Sequence, residues 1–438
     1  MRAITTTLPG LVIAALSSAS CSDSATLAVD AVSGTEPRLV APDESLIPII
    51  NVASARGWPD GAAPVPAEGL AVSRYAAGLD HPRWLYTLPN GDVLVAETNA
   101  PPRPDDQNGI AGWLMKRAMK RAGAAVPSAN RITLLRDEDG DGVAEFRSAF
   151  LENLNSPFGI ALIGDALYIA NTDEIVSVSY EEGATRIDAA PSTVAPLPAG
   201  SINHHWTKNI IASPDGRRLY ATVGSNSNIA ENGMDNERLR AAILEVDLET
   251  SDVSLFASGL RNPNGLAWEP QSGELWTTVN ERDGLGGDLV PDYMTSVSRD
   301  SFYGWPYSYY GGHLDERVTP QRPDLVAEAI VPDYALGPHT ASLGLVFYAG
   351  GALPASYSDG AFVAQHGSWN REPASGYRVV FVRFEGGEPV GKPVDALTGF
   401  LSHDGEAFGR PVGLAISDDG ALLVADDVGN SVWRLTGK

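Results

Sequence analysis

The feature that most limits how this chain can fold is a pattern that returns six times between residues 79 and 426. Each copy opens on a turn holding His, Asn, Arg or Gly, usually with Pro. It runs into an apolar segment, breaks at a polar turn and resumes as a second apolar segment. The first copy is Leu79-Asp80-His81-Pro82-Arg83-Trp84-Leu85 followed by Val93-Leu94-Val95-Ala96-Glu97. The second joins Asn155-Ser156-Pro157-Phe158-Gly159 to Leu167-Tyr168-Ile169-Ala170-Asn171. The third joins His204-His205-Trp206-Thr207-Lys208-Asn209 to Leu219-Tyr220-Ala221-Thr222-Val223-Gly224. The fourth runs from Gly259-Leu260-Arg261-Asn262-Pro263-Asn264-Gly265 to Leu275-Trp276-Thr277-Thr278-Val279-Asn280-Glu281. The fifth and sixth start at Thr340 and Gly409 and end at Ala364 and Asp426. Outer strands are expected at 131–135, 243–247, 377–382 and 431–435. Forty-five glycines and 31 prolines suit a chain of many tight turns. Two β-sandwiches would account for the strands but not for six copies. The expectation is therefore all-β: a six-bladed β-propeller of four-stranded antiparallel blades with loop insertions, over residues 66–438. Ring closure also limits the open edges that a flat array would leave.

Charge and cysteine content narrow the function. The net charge is −24 and the pI about 4.6, which argues against a nucleic-acid partner, because phosphate binding needs a basic face. The one cysteine, Cys21, allows no disulfide within the chain. It follows Arg2, an apolar run from Leu8 to Leu16 and the small residues Ser17-Ser18-Ala19-Ser20. Residues 1–21 therefore read as an export signal with a possible lipid-modified cysteine. That places the chain in the periplasm or on the outer surface, with the membrane involved only through such an anchor. Residues 22–65, rich in Ala, Ser, Pro and Asp, read as a low-complexity tether and edge segment. Two insertions interrupt the repeats. Residues 109–125 carry Lys116, Arg117, Lys120 and Arg121 at helical spacing, for a surface helix or a basic docking spot. Residues 283–313, rich in Gly, Tyr and Trp, are expected to wall the ring mouth.

Several polar residues fall at equivalent rim places. His205 precedes a strand of the third unit and is a candidate proton acceptor. Arg261, His339, His366, Trp369, Asn370, Arg371 and Arg410 come from successive units. Together they describe a mouth for a planar, multiply anionic ligand, with guanidinium forks for carboxylates and an indole for stacking. Asp137, Asp139 and Asp141 alternate at calcium-loop spacing, although Ser148 stands where the loop's closing Glu is expected; the segment is a Ca²⁺ site or a solvated hairpin turn. Asn280-Glu281-Arg282-Asp283-Gly284 offers carbonyls and carboxylates to a second cation. No dinucleotide fingerprint, phosphate loop, Cys/His zinc pattern or nucleophile elbow is present.

His205 with Ser213-Pro214-Asp215-Gly216, then Arg261-Asn262-Pro263-Asn264-Gly265 and Tyr303-Gly304-Trp305-Pro306, resembles the soluble quinoprotein sugar dehydrogenases. Val223-Gly224-Ser225-Asn226-Ser227-Asn228 and Gln365-His366-Gly367-Ser368-Trp369-Asn370-Arg371 match the sorbosone/pyranose dehydrogenase branch. The resemblance spans residues 70 to 437. It implies a propeller binding pyrroloquinoline quinone and Ca²⁺ on the ring axis, oxidising a sugar or sugar-derived aldehyde and passing electrons to an outside cytochrome or quinone. It implies His205 as the base, Arg261, Asn262 and Asn264 on the quinone, and backbone carbonyls of Arg282 and Asp283 on its Ca²⁺. Arg371 and Arg410 would meet the carboxylates, and His366, Trp369 and Asn370 would form the stacking face. One departure stands out. The glucose enzymes place a carboxylate beside the catalytic histidine where this chain has Ser225. Two other readings remain open: a Ca²⁺-centred lactonase, which needs an axial cage of Asp, Asn and Glu, and a non-catalytic carbohydrate- or protein-binding propeller.

Overall fold

The computed structural model describes residues 24–43, 50–102, 117 and 119–438. The export signal with Cys21 and most of the basic stretch around 109–118 lie outside the described residues. Six antiparallel sheets follow one another along the chain, each a meander that starts at the ring axis and moves outward. Blade one is Pro82–Thr87, Val93–Glu97, Arg131–Arg136 and Phe146–Leu151; blade two is Ile160–Ile163, Ala166–Ala170, Glu174–Ser179 and Ser192–Pro196. Blade three is Ile210–Ala212, Arg218–Val223, Ala242–Asp247 and Val253–Ser258; blade four is Asn262–Trp268, Leu275–Asn280, Pro291–Val297 and Tyr334–Pro338. Blade five is Ser342–Tyr348, Gly360–Gln365, Arg378–Glu385 and Glu388–Thr398. Blade six takes three strands from the C-terminal stretch, Pro411–Ile416, Leu422–Asp426 and Ser431–Gly437, and its outermost strand, Leu70–Ala77, from before blade one. That shared sheet closes the ring. Each innermost strand packs against those of both neighbouring blades, so the six-bladed propeller expected from the repeats is the fold.

The repeated glycine explains how tightly the ring is drawn. Gly159, Gly265, Gly344 and Gly413 occupy one place in four inner strands. A Cβ on Gly344 would lie 2.3 Å from the carbonyl oxygen of Val412 in blade six. One on Gly413 would lie 2.6 Å from that of Arg83 in blade one. Only hydrogen fits where adjacent inner strands touch. Second strands are buried on both faces between blades, so they read as unbroken apolar runs rather than as alternation; all of Val93–Glu97 is buried. Between blades one, two and three, Trp84, Phe158 and Trp206 pack in series, the first pair tilted and the second edge to face, with ring centroids 4.8 and 6.2 Å apart.

Short strands cover three outer edges. Ser33–Gly34 joins blade four, Val65–Pro66 joins blade five, and Ser301–Phe302 runs parallel to the edge of blade three. The described parts of 22–65 form a belt along the propeller, with Ser33–Gly34 and Val65–Pro66 lying on blade edges. Thr26 and Leu27 bond to Asp288, Asn51 donates to the Trp369 carbonyl at 2.8 Å, and Trp58 donates to Asp426 at 2.6 Å. Strand direction fixes the two ends of the ring. Loops leading into inner strands, and loops from second to third strands, share one end, the mouth. Loops from third to fourth strands lie at the other. The stretch 298–333 leaves blade four at the far end and climbs beside Val253–Ser258 to the mouth. There Trp305 donates to the Asn228 carbonyl at 2.9 Å; the insertion expected over 283–313 is divided by the blade-four strand Pro291–Val297, and none of it lines the cavity at the ring mouth.

Candidate active site at the ring mouth

Two buried carboxylates organise the mouth. Asp427, in the loop after the second strand of blade six, accepts Arg83 Nη1 at 2.6 Å and His366 Nε2 at 2.8 Å, with His81 Nε2 at 3.6 Å. These partners come from blades one and five, so one carboxylate ties three blades together. Burial opposes its charge, but the surrounding histidines and Arg83 hold it well below the ordinary carboxylate range. Burial in turn lowers the His366 imidazole to about 4, against the pull of Asp427. Above this group opens a cavity of about 890 Å³. Its floor presents His81, Arg83, His366, Arg410 and Asp427, Trp369 stands at its side, and part of its wall is small and apolar, from Ala122 to Pro127 and at Val52 of the belt. Arg410 lies 4.9 Å from the centre of the Tyr377 ring. Arg83 Nε and Arg410 Nε are both buried with no acceptor. Two guanidiniums facing one carboxylate leave a surplus positive charge in a strongly acidic protein.

The second carboxylate, Asp283, lies in the loop after the second strand of blade four. It accepts Asn370 Nδ2 at 2.8 Å and pairs with Arg261 at 3.2 Å and His339 at 3.4 Å. Burial would raise its pKa, but these three partners bring it to about 2. The same pair keeps the His339 imidazole above its ordinary value against burial. The loop 366–371 therefore spans both groups, with His366 on Asp427 and Asn370 on Asp283. Arg261 also donates to Glu281 O at 2.8 Å and Asn228 Oδ1 at 2.9 Å. Asn262 Oδ1 and Asn370 Oδ1 are buried without donors.

His205 stands half-buried beside this second group. Its Nδ1 lies 2.7 Å from the Ser225 carbonyl and 3.1 Å from Ser225 Oγ. Burial and the Arg261 cation push the imidazole well below its ordinary value. Gly224 makes the approach possible, because a Cβ there would fall 2.2 Å from Asn262 Oδ1 and 2.5 Å from His205 Cβ. Lys208, fully buried, donates to the carbonyls of His205 and Trp206 at 3.3 and 3.2 Å and caps the turn from below.

The expected residues thus share one end of the ring but divide in their roles. His366, Trp369 and Arg410 line the cavity, whereas His205, Arg261, Asn262 and Asn370 lie around the second carboxylate and do not line it. Asn264 is a structural amide: it accepts from Thr207 and donates to the Asn262 carbonyl. Arg371 departs from expectation. Its guanidinium donates to the carbonyls of Gly287, Pro373 and Leu27 and pairs with Asp288, which pins the belt instead of reaching a ligand. Arg282 is buried against Glu281, Asp315 and the carbonyls of Pro306 and Ser308. The Asp283 carbonyl already accepts Asn228 Nδ2 at 2.9 Å and Arg317 Nη1 at 3.0 Å, and Arg317 also holds the Gly284 carbonyl. A cation cage needs oxygen lone pairs facing an open position, and the Asp283 carbonyl already accepts from these two side chains. Asp137, Asp139, Asp141 and Glu145 bring carboxylate oxygens within 4.8 Å of one another, a hard-oxygen set suited to Ca²⁺. Their loop joins third and fourth strands, so it lies at the far end, where it also accepts backbone N–H groups of its own hairpin. Arg83 and Asp427 were missed from sequence. The available signal was position: Asp427 follows a second strand as His366 does, and Arg83 sits within the first repeated turn.

Residues 80–428 match the model of a domain of unknown function, DUF7133. An uncharacterized protein of Borreliella burgdorferi is 30% identical, covering 65% of this chain and 76% of that protein. The pyrroloquinoline quinone-dependent pyranose dehydrogenase of Coprinopsis cinerea is 36% identical over 84% of this chain; the chain spans about half, 54%, of that protein's length. The holo form of the Coprinopsis cinerea pyranose dehydrogenase PQQ domain superposes with a TM-score of 0.68 at 21% identity, covering 88% of this chain and 100% of that one. The chain belongs to the DUF7133 family, and its homologues and structural neighbours include PQQ-dependent pyranose and aldose sugar dehydrogenases.

Proposed function

We propose that this chain is a quinoprotein oxidoreductase that binds pyrroloquinoline quinone at the ring mouth and oxidises a sugar or sugar-derived aldehyde or alcohol. The observation that carries this reading is the pair Arg83 and Arg410. They come from adjoining blades and line one cavity with Trp369 beside them. Guanidiniums that line a cavity suit a carboxylate ligand, and an indole suits a flat ring. When bound, the quinone supplies a two-electron acceptor that takes hydride from the substrate carbon and passes electrons on to an outside cytochrome or quinone.

The chain's own residues do the rest. Nδ1–H of His205 donates to the Ser225 carbonyl, which leaves the lone pair on Nε2; since His205 lies outside the cavity lining, the substrate hydroxyl whose proton it takes would sit on the Asp283 side of the mouth. The lowered pKa keeps that imidazole neutral, hence competent to accept, at working pH. Arg261 holds the second group in place through Asp283, Asn228 and the Glu281 carbonyl, and the cavity wall from Ala122 to Pro127 is small and apolar. Export through residues 1–21 belongs to the same proposal. A Ca²⁺-centred lactonase is less well supported, because Asp427 and Asp283 are committed to cationic partners.

The test is titration of the full chain with the quinone, followed by bound-quinone absorbance and dye reduction with a panel of aldoses, with lactone hydrolysis assayed alongside. The reading expects saturable quinone binding and quinone-dependent dye reduction, with His205→Ala losing turnover while retaining the quinone. Lactone hydrolysis without quinone binding would overturn it.

A further inference from the structure

The residue facing His205 is a serine, yet a carboxylate stands two links further on. We infer that Glu237 is a positioning residue for His205, acting through Ser227 and Ser225. This rests on the reading of His205 as the proton acceptor, and it goes beyond that reading by naming what orients the imidazole. Glu237 lies in the same loop, 224–241, and is 5% exposed. Both its oxygens are used: Oε1 accepts Ser227 Oγ at 2.5 Å and Oε2 accepts the Asn226 backbone N–H at 2.7 Å. The two residues that follow Ser225 are therefore gripped by one carboxylate. Ser225 Oγ donates its single proton to the Ser227 carbonyl at 2.6 Å. Towards His205 that hydroxyl can then only accept, as the Ser225 carbonyl does at 2.7 Å. Two acceptors converge on Nδ1, so Nδ1 carries the proton and Nε2 is left bare. The start of the loop is held as well: Ser225 N donates to the Arg261 carbonyl at 2.7 Å, and Arg240, whose own backbone N–H bonds the Glu237 carbonyl, reaches the Gly224 carbonyl through Nη1 at 3.2 Å.

The arrangement has an electrostatic reason. A carboxylate directly on Nδ1 would favour the imidazolium, which Arg261 and burial disfavour. Placing the negative charge two hydrogen bonds away fixes the tautomer while the ring stays neutral. Removing Glu237 leaves the Asn226 N–H and the Ser227 hydroxyl buried without acceptors. The cheapest relaxation turns the Ser225 carbonyl, and the proton of His205 is then free to move to Nε2, where it blocks proton acceptance.

The test uses the full chain with ¹⁵N-labelled histidine. Seven histidines keep the spectrum assignable by substitution. The parent is expected to show His205 as the Nδ1–H tautomer with or without quinone. Glu237→Gln and Ser227→Ala are expected to give a tautomer mixture, and Ser227→Thr, which keeps the hydroxyl, to restore the parent state. In quinone-loaded protein both disruptive variants should lower kcat roughly tenfold or more, within the ~10²- to 10⁴-fold that a placed general base contributes, with KM little changed. In a His205→Ala background Glu237→Gln should cost nothing further. An unchanged tautomer in Ser227→Ala, or a Glu237→Gln loss that persists in full without His205, overturns the inference. The tautomer measurement does not depend on catalysis, so it still decides the role of Glu237 if the dehydrogenase reading fails.

Discussion

Asp427→Asn tests the carboxylate on which the cavity floor is built. The Arg83–Asp427 side chains are 12% and 1% exposed, with Nη1 and Oδ2 2.6 Å apart. The amide keeps the shape and removes the charge, leaving Arg83 unpaired next to Arg410. Breaking a buried ion pair from one side costs about 3–5 kcal/mol. The small opening of Arg83 to the cavity puts this case near the lower end, about 3 kcal/mol by the same reasoning. The assay is urea unfolding of parent and variant between pH 7 and pH 2. The Asp427 pKa is depressed, so the stability it contributes is complete above the unfolded carboxylate value near ~3.9 and is lost as pH falls through the folded value. The gap between parent and variant should hold from pH 7 to about 4 and narrow below that. A gap under about 1 kcal/mol at pH 7, where a buried pair predicts several, or one that widens on acidification, refutes the reasoning.

Three other outcomes follow from the same structure. Gly344→Ala places a Cβ 2.3 Å from the Val412 carbonyl oxygen and should cost about 1–3 kcal/mol or more by forcing two inner strands apart, read by urea unfolding. The Asp283–His339 pair should stabilise most between about pH 4 and 6.5: the depressed Asp283 loses its contribution as pH falls towards about 2, and the raised His339 loses its own as pH rises through its folded value. Asp283→Asn should flatten both flanks of that stability profile. Arg371→Ala should lower stability, since its donors pin the belt, and leave quinone affinity unchanged.

What could be read from the sequence follows burial. The second strands lie between blades with both faces covered, so unbroken apolar runs marked them, and Gly and Pro marked the turns beside the axis. Fourth strands left no such trace. Ser192–Pro196 is largely exposed, and Glu388–Thr398 is broken by Pro389, Gly391 and Pro393. Strands such as Arg131–Arg136 were therefore expected on the outside but occupy the third place. Leu70–Ala77 belongs to a sheet whose other strands lie far along the chain, which no local pattern reveals. At the mouth, Arg410 and Trp369 were legible because their places recur. Arg371 occupies a similar place, but sequence does not say which way a guanidinium turns, and this one faces the belt. Asp427 was hidden beside Asp426, whose role differs: Asp426 bonds Trp58 and Trp433 within the fold. Glu237 acts on His205 through tertiary contacts across 32 positions, beyond any motif.

Calorimetric titration of the purified chain with pyrroloquinoline quinone, run for the parent and for Arg83→Ala and Arg410→Ala, tests the quinone site most directly. One quinone should bind per chain, with a roughly 10- to 100-fold weaker Kd in each arginine variant, the loss expected for one charged hydrogen bond of about 1.5–3 kcal/mol. No quinone binding by the parent, or binding that neither arginine alters, would contradict it.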